Sequence, residues 1–374
     1  MKWCSKCLIP NTRPNIKFDS DGVCAACQWH EMKRTINWQE RQDYFRELCA
    51  KYKVALVPYS GGKDSIYVAH KVEEAGAEPI LITILPDLET EIGEWNRKNM
   101  RKGFRWIEIK LPGDECREQA RECFIDNGKV KHPWENAISA RVLQEAAEKE
   151  IPFVVYGEEG GAEYGGGFGY EISLNDWKKP VSAEYLKKYY YLNKVLFGLP
   201  SNYTDLFFTQ YSRFENWSPA KHRAFAVGKG MRTLPVRSIG TFTCDSQLSD
   251  ILQDLHCYIL FIKFGFGRAT SDACIAIRDG TLDRGNALEQ VENYDGDFPN
   301  NYLPHYLDYL KMDYNEFCTV LEKHANPEIV EQASHPKARH VFYLKSWLGK
   351  KRRKGTSLEF ISPLRWDLDK TRRY

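Results

Sequence analysis

Ser60-Gly-Gly-Lys-Asp-Ser65 packs two hydroxyls, two glycines, a cation and a carboxylate into six residues, directly after the apolar run Val54–Val57. That set can hold an anion. Glycines let the backbone come close to a ligand and adopt positive φ. A helix opening at Asp64 and running to about Gly76 adds first-turn N–H groups and the positive end of a dipole. Strand, turn and helix together read as a phosphate cradle. The spacing is not that of G-x-x-x-x-G-K-[ST]. An ordinary glycine-rich turn is the plain alternative.

A second chemistry-bearing pattern stands at the start of the chain. Cys4-x-x-Cys7 and Cys24-x-x-Cys27 are separated by 16 residues. Two such knuckles can present four thiolates to one tetrahedral ion. A zinc site on Cys4, Cys7, Cys24 and Cys27 is the expected reading, and with no open coordination position it would be structural. An iron–sulfur centre or a redox pair would use the same residues. A module this short has little core and would depend on its metal to fold.

The elements that must position the hexapeptide follow from periodicity. Apolar runs at Val54–Val57, Pro79–Leu85, Phe104–Ile109 and Ile151–Tyr156 alternate with helical stretches near 64–75, 90–102, 114–125 and 135–149. This alternation predicts an α/β core with a parallel sheet. Ligands of such sheets bind beyond the carboxyl ends of the strands. Three segments would share that rim: Ser60–Ser65, Leu85-Pro86-Asp87, and the loop Gly157–Gly169, which has seven glycines in 13 residues. Gly157, Glu158 and Asp87 join the hexapeptide as candidate ATP and pyrophosphate contacts. Asp64, Glu158 and Glu159 are the hard oxygen donors that a Mg²⁺ ion on ATP phosphates prefers, although either glutamate could equally be a solvated loop acid.

Around this core the chain divides, by pattern, into residues 1–30 (Cys4 module), 31–53 (helical connector), 54–170 (nucleotide core), 171–257 (an aromatic-rich insertion or lid), 258–325 (a helical, substrate-binding part) and 326–374 (a basic tail). Lys263 and Arg268 bracket the Gly-Phe-Gly turn of Lys263-Phe-Gly-Phe-Gly-Arg268 as a possible anion clamp. Thr270/Ser271 and Thr281 read as caps of the helices that follow.

At 374 residues, 43% of them hydrophobic, the chain can bury substantial cores. Its formal charge of +2 weighs against a polyanionic partner. From Lys350 to Tyr374 the local excess is +6, with Lys350-Lys-Arg-Arg-Lys354 at its head; a solvated tail is the plain reading. No signal peptide and no membrane span are expected, and eleven scattered cysteines argue for a reducing cytoplasm rather than a disulfide framework.

The hexapeptide resembles the pyrophosphate loop (PP-loop) of the adenine nucleotide alpha hydrolase-like ATP pyrophosphatases. Those enzymes transfer AMP to a carbonyl-type oxygen, which a nucleophile then displaces. The whole set resembles the N-acetyl sugar amidotransferase family of bacterial surface-polysaccharide, O-antigen and nonulosonic-acid pathways. The set comprises the paired Cys knuckles, Ser60–Ser65, Glu163-Tyr-Gly-Gly166, Lys263-Phe-Gly-Phe-Gly-Arg-Ala-Thr270, Ile277-Arg-Asp-Gly280 and Tyr294-Asp-Gly296, and it spans roughly residues 1–300. The resemblance implies that an N-acetyl group on a sugar or nucleotide-sugar becomes an acetamidino group. Lys63 and Asp64 would serve catalysis, and Glu163, Tyr164, Gly165, Lys263 and Arg268 would contact the sugar. It also implies a separate glutaminase with a cyclase-like companion as the ammonia source. The chain carries neither an N-terminal cysteine nucleophile nor a recognisable glutaminase signature of its own. The loop start Gly157-Glu-Glu-Gly160 departs from the Gly-Glu-Asn type that the resemblance would lead one to expect.

Two other readings compete. A tRNA-thiolating PP-loop enzyme would need a reactive cysteine, for which Cys116, Cys123, Cys244, Cys257 and Cys274 are available, and a basic face. A zinc-bearing scaffold that only senses ATP would need neither.

Overall fold

Five strands form one parallel sheet in the computed structural model, in the order β3-β2-β1-β4-β5. The structure describes residues 1–158, 160–166, 171–181 and 205–345. Glu159, the end of the glycine-rich loop from 167 to 170, and Lys350-Lys-Arg-Arg-Lys354 with the rest of the tail lie outside the described residues.

The strands are β1 (Val54–Pro58), β2 (Glu78–Ile84), β3 (Arg105–Ile109), β4 (Phe153–Tyr156) and β5 (Phe207–Gln210). The first four fall where the apolar runs predict them. The helices between them are α3 (Lys63–Glu74), α4 (Glu91–Met100), α5 (Gly113–Asn127) and α6 (His132–Glu148), preceded by α1 (Ala25–Met32) and α2 (Trp38–Tyr52). In β1 the side-chain period of two explains a strand buried on both faces. Ala55 and Val57 join a core with Phe45 and Leu48 of α2 and Ile66 and Val68 of α3, while Leu56, equally buried, has the opposite face. Register is fixed along the strand, Val54 against Glu78 and Leu56 against both Ile80 and Val154.

The chain runs β1 to β2 to β3 in one direction, then returns to place β4 on the other side of β1. The strand order therefore reverses between β1 and β4. In open α/β sheets that reversal leaves a crevice at the carboxyl ends of the two strands, where ligands bind. β5 comes from 207–210, inside the stretch read from sequence as an insertion or lid. It pairs in register with β4, Phe153 opposite Phe207 and Tyr156 opposite Gln210. Its short apolar run Leu206–Phe208 is too brief to stand out among aromatic neighbours.

The sheet belongs to a unit made of Ala25–Pro112 and Pro133–Thr233. The other unit collects Met1–Cys24, Gly113–His132 and the chain from Leu234 on. Its named elements among the described residues are helices and a short antiparallel pair, Val330–Gln332 with Phe342–Leu344. Buried Phe124 of α5 meets Phe317 there with ring centroids 5.4 Å apart.

Candidate functional site

β1 ends at Pro58, and the chain turns through Gly61 at φ +78° before α3 begins at Lys63. A Cβ on Gly61 would lie 2.5 Å from the backbone nitrogen of Arg97, so only glycine fits this turn against α4. Arg97 is itself fixed: Glu89 takes it in a bidentate pair at 2.7 Å, and Glu108 takes its remaining nitrogen. The two serines close the loop on itself. Ser65 Oγ donates to the Gly62 carbonyl at 3.0 Å and accepts from the Ser60 backbone N–H at 3.3 Å, while the Gly62 N–H donates to Ser60 Oγ at 3.2 Å. Gly62 caps α3 without any side-chain hydrogen bond. The loop is thus a preformed turn at the positive end of a helix dipole.

Lys63 and Asp64 follow. Lys63 Nζ stands 3.7 Å from Asp64 Oδ2. Asp64 Oδ1 lies 2.8 Å from Nδ1 of His222, on α9 (Pro219–Gly228), the helix that follows β5; α7 (Gly160–Tyr164) and α8 (Glu171–Asn175) lie between β4 and β5. His222 is fully buried. Its ring stacks on Tyr67 at 4.2 Å and meets Trp217 edge-on at 4.2 Å. Beneath them, Glu215 accepts from the hydroxyls of Tyr67 at 2.7 Å and Tyr211 at 2.6 Å, and pairs with Lys221. Nothing in the sequence marks His222 or Glu215 as belonging to the hexapeptide; the only local sign is Ser218-Pro219, a helix start.

Beyond β4 the chain enters the rim segment that begins at Gly157. Gly157 leaves room for the Trp217 ring, which would stand 3.3 Å from a Cβ there. Crowding by protein atoms, then the negative charge of Asp64, push the Glu158 carboxyl up, to about 7. Glu158 itself stays at the surface. Asp64 and Glu158 are thus close enough to feel one another, and as hard oxygen donors they suit a Mg²⁺ ion. Asp87 lies in an exposed turn three residues past β2.

Glu163, expected at the sugar, has both oxygens engaged within its own unit. Oε1 accepts from Trp29 Nε1 at 2.9 Å and Oε2 pairs with Lys33 at 3.0 Å. It sits on α7 (Gly160–Tyr164) with Tyr164 at the helix end, and the next residue presses the loop against α1. Gly165 has φ +73°, and a Cβ would lie 2.8 Å from the Ala26 backbone nitrogen. Glu163 and Gly165 therefore tie the loop to α1.

Lys263 and Arg268 belong to the other unit. Lys263 ends the helix α10 (Leu252–Phe264) and donates to the Asn127 carbonyl at 2.6 Å; burial and Lys129 hold its ammonium below the usual range. Arg268 opens the helix α11 (Arg268–Arg278), pairs with Asp272 at 2.9 Å and donates to Ser246 Oγ at 3.1 Å. Thr270, read as a cap, instead donates its hydroxyl to Asp295 at 2.6 Å, and Asp295 also accepts the Gly267 N–H at 2.9 Å. The helix starts earlier because Asp295 satisfies its first turn. Likewise Thr281 donates to the Ala276 carbonyl, and Asp283 caps the next helix by accepting from Asn286 N–H at 2.9 Å. The Lys263–Thr270 and Tyr294–Gly296 motifs thus interlock.

At the N-terminus, Cys4, Cys7, Cys24 and Cys27 are buried with all four sulfurs within 4.8 Å of one another. Cys7 and Cys24 sulfurs are 3.7 Å apart. Zinc–sulfur bonds of about 2.3 Å in a tetrahedron separate sulfurs by roughly 3.8 Å, so the residues fit zinc. Backbone N–H groups of Cys7 and Cys24 point at Cys4 Sγ, at 3.4 and 3.3 Å, and would stabilise a thiolate. Elemental analysis should find one zinc per chain. Stripping it with a strong chelator should unfold the first 27 residues and lower the melting temperature; an unchanged melt of zinc-free protein would refute a structural role.

No helix among the described residues is long and apolar enough to cross a membrane. No curated protein matches the chain. Among solved structures, it is similar to a predicted subunit of tRNA methyltransferase from Methanocaldococcus jannaschii, at 18% identity over 55% of this chain and 87% of that one, with a TM-score of 0.30. It is also similar to the NH3-dependent NAD synthetase from Campylobacter jejuni, at 15% identity over 41% of this chain and 78% of that one, with a TM-score of 0.26. Residues 208–339 match the C-terminal domain of the LPS biosynthesis protein WbpG-like family. With the motifs already described, that match supports the likeness to the N-acetyl sugar amidotransferase family.

Proposed function

We propose that the chain is an ATP-dependent amidotransferase that converts an N-acetyl group of a sugar or nucleotide-sugar into an acetamidino group. The observation that carries this reading is the closed Ser60–Ser65 turn, with Asp64 and Glu158 beside it, at the point where the strand order reverses. An amide carbonyl is a poor electrophile and its oxygen a poor leaving group. Attack of that oxygen on the α-phosphorus of ATP would release pyrophosphate and make AMP the leaving group. Ammonia would then add to the carbon, lose a proton and expel AMP, leaving the amidine.

In this chemistry the loop and the α3 N-terminus hold the departing pyrophosphate with preorganised dipoles, and Lys63 offsets its charge. Asp64 and Glu158 would hold Mg²⁺, which when bound shields the phosphate oxygens. Ammonia would come from a separate glutaminase with a cyclase-like companion. Among the five cysteines open to sulfur transfer, Cys257 is ill suited, since burial pushes its thiol up to about 11 and starves it of thiolate.

The test is pyrophosphate release from ATP with ammonium present, across diacetamido sugars, their nucleotide conjugates and bulk tRNA. Release that requires a sugar supports the reading. Release that requires tRNA and a sulfur donor overturns it.

A further inference from the structure

We infer that His222 is a positioning residue of the nucleotide site: it fixes the rotamer of Asp64 so that Oδ2 faces the Mg²⁺–ATP phosphates. This deepens the reading above and rests on it. Asp64 Oδ1 is 2.8 Å from His222 Nδ1. An ionised carboxylate only accepts hydrogen bonds, so the proton between them belongs to Nδ1. One carboxylate oxygen is thereby committed to the imidazole, and Oδ2, 3.7 Å from Lys63 Nζ, is the one turned toward the loop's own cation.

The imidazole has little freedom to do anything else. His222 has no exposed surface, and its Nε2 is buried without a hydrogen-bond partner among the described residues. A ring that only filled core space could be an apolar side chain at lower cost; a buried imidazole leaving one nitrogen unsatisfied is worth keeping for what the other nitrogen does. Tyr67 on one face and Trp217 at the edge set the ring plane, and Glu215 in turn holds Tyr67. Trp217 also lies against Gly157, where the segment carrying Glu158 begins. The stack therefore sets Asp64 and backs the start of the Glu158 segment from the same ring pair. His222 cannot touch substrate from this depth, so its action runs through Asp64.

Two variants separate positioning from packing. His222→Asn can present an amide N–H near the place of Nδ1; His222→Leu fills volume without a donor. ATP binding by the full-length chain is measured calorimetrically over a range of Mg²⁺ concentrations, with melting temperatures recorded for every variant. In His222→Leu, the Mg²⁺ concentration for half-maximal ATP binding should rise about tenfold, the loss expected from a disturbed outer-shell partner. ATP binding without Mg²⁺ should be unchanged, and His222→Asn should recover most of the Mg²⁺ dependence even if its melting temperature stays low. Equal loss of stability in both variants with an unaltered Mg²⁺ midpoint would overturn the proposal. Absence of ATP binding by the unsubstituted chain at any Mg²⁺ concentration would overturn the nucleotide-site reading and this inference with it. Mg²⁺-dependent ATP binding that shifts as stated, but with no sugar-dependent turnover, would support His222 in this role while removing the acetamidino reaction.

Discussion

Asp64→Asn is expected to lower sugar-dependent pyrophosphate release by a factor on the order of 10² to 10³, the loss typical of removing one preorganised electrostatic group from a transition state. The substitution is nearly isosteric. Its amide oxygen can still accept from His222 Nδ1, now 2.8 Å from the carboxylate, so the fold should persist. What disappears is the negative charge beside Lys63 and near Glu158. Steady-state kinetics at saturating ATP and Mg²⁺, with circular dichroism as the fold control, measure this. A variant that keeps kcat within threefold would show that the carboxylate is not part of the machinery.

Glu215→Ala should have the largest effect on stability. It would leave the Tyr67 and Tyr211 hydroxyls, both on buried residues, without their shared acceptor. Each orphaned buried group costs about 1–3 kcal/mol, so about 2–6 kcal/mol in all is expected, and a fall in melting temperature on the order of 10 °C. Lys221 adds little to this, because its side chain is 55% exposed and solvent screens it. Acid should narrow the difference, since a protonated Glu215 can still accept from a tyrosine hydroxyl but loses its charge. Desolvation alone would raise the Glu215 carboxyl, but hydrogen bonds from Lys221, Tyr211 and Tyr67 outweigh it and hold the group below its ordinary value. A carboxyl lowered in the folded state contributes stability that is complete above its unfolded pKa of about 4.3 and fades as pH falls through the folded value. Denaturant melts of both proteins should therefore differ most at neutral pH and less in strong acid; a pH-independent gap would mean the charge of Glu215 contributes nothing.

The parts of the fold legible in sequence were those set by short-range pattern. Val54–Val57 is apolar throughout because β1 is covered on both faces, and the glycine of Ser60–Ser65 that has to be a glycine, Gly61, is required by the backbone beside it. The Cys knuckles were legible for the same reason: their spacing is itself the geometry. His222 was not, because its meaning comes from a contact 158 residues away, across a segment with weak periodicity. Lys263 and Arg268 show the opposite difficulty. Two cations about a glycine turn look like an anion clamp, yet Asn127, Asp272 and Ser246 already engage them. Their partners are a carbonyl, an acid one helical turn on and a distant hydroxyl, and only the acid could have been read from spacing. Glu163 is a third kind of case: a carboxylate beside glycines reads as a ligand group, but Trp29 and Lys33 use it as a brace.

The pairing of Phe124 with Phe317 has a consequence for synthesis on the ribosome. Both rings are fully buried, and their centroids are 5.4 Å apart. Yet α5 is made long before the helix that covers it; at roughly 5–20 residues per second, the interval is about 10–40 s. For that time Phe124, which ends up buried on one side of α5 with Cys116 and Ala120, lacks the Phe317 ring. The sheet waits less, since β5 follows β4 by about fifty residues. The parallel sheet can therefore complete while the narrow apolar face of α5 is still uncovered, so slowing translation is expected to lengthen the time that face stays exposed.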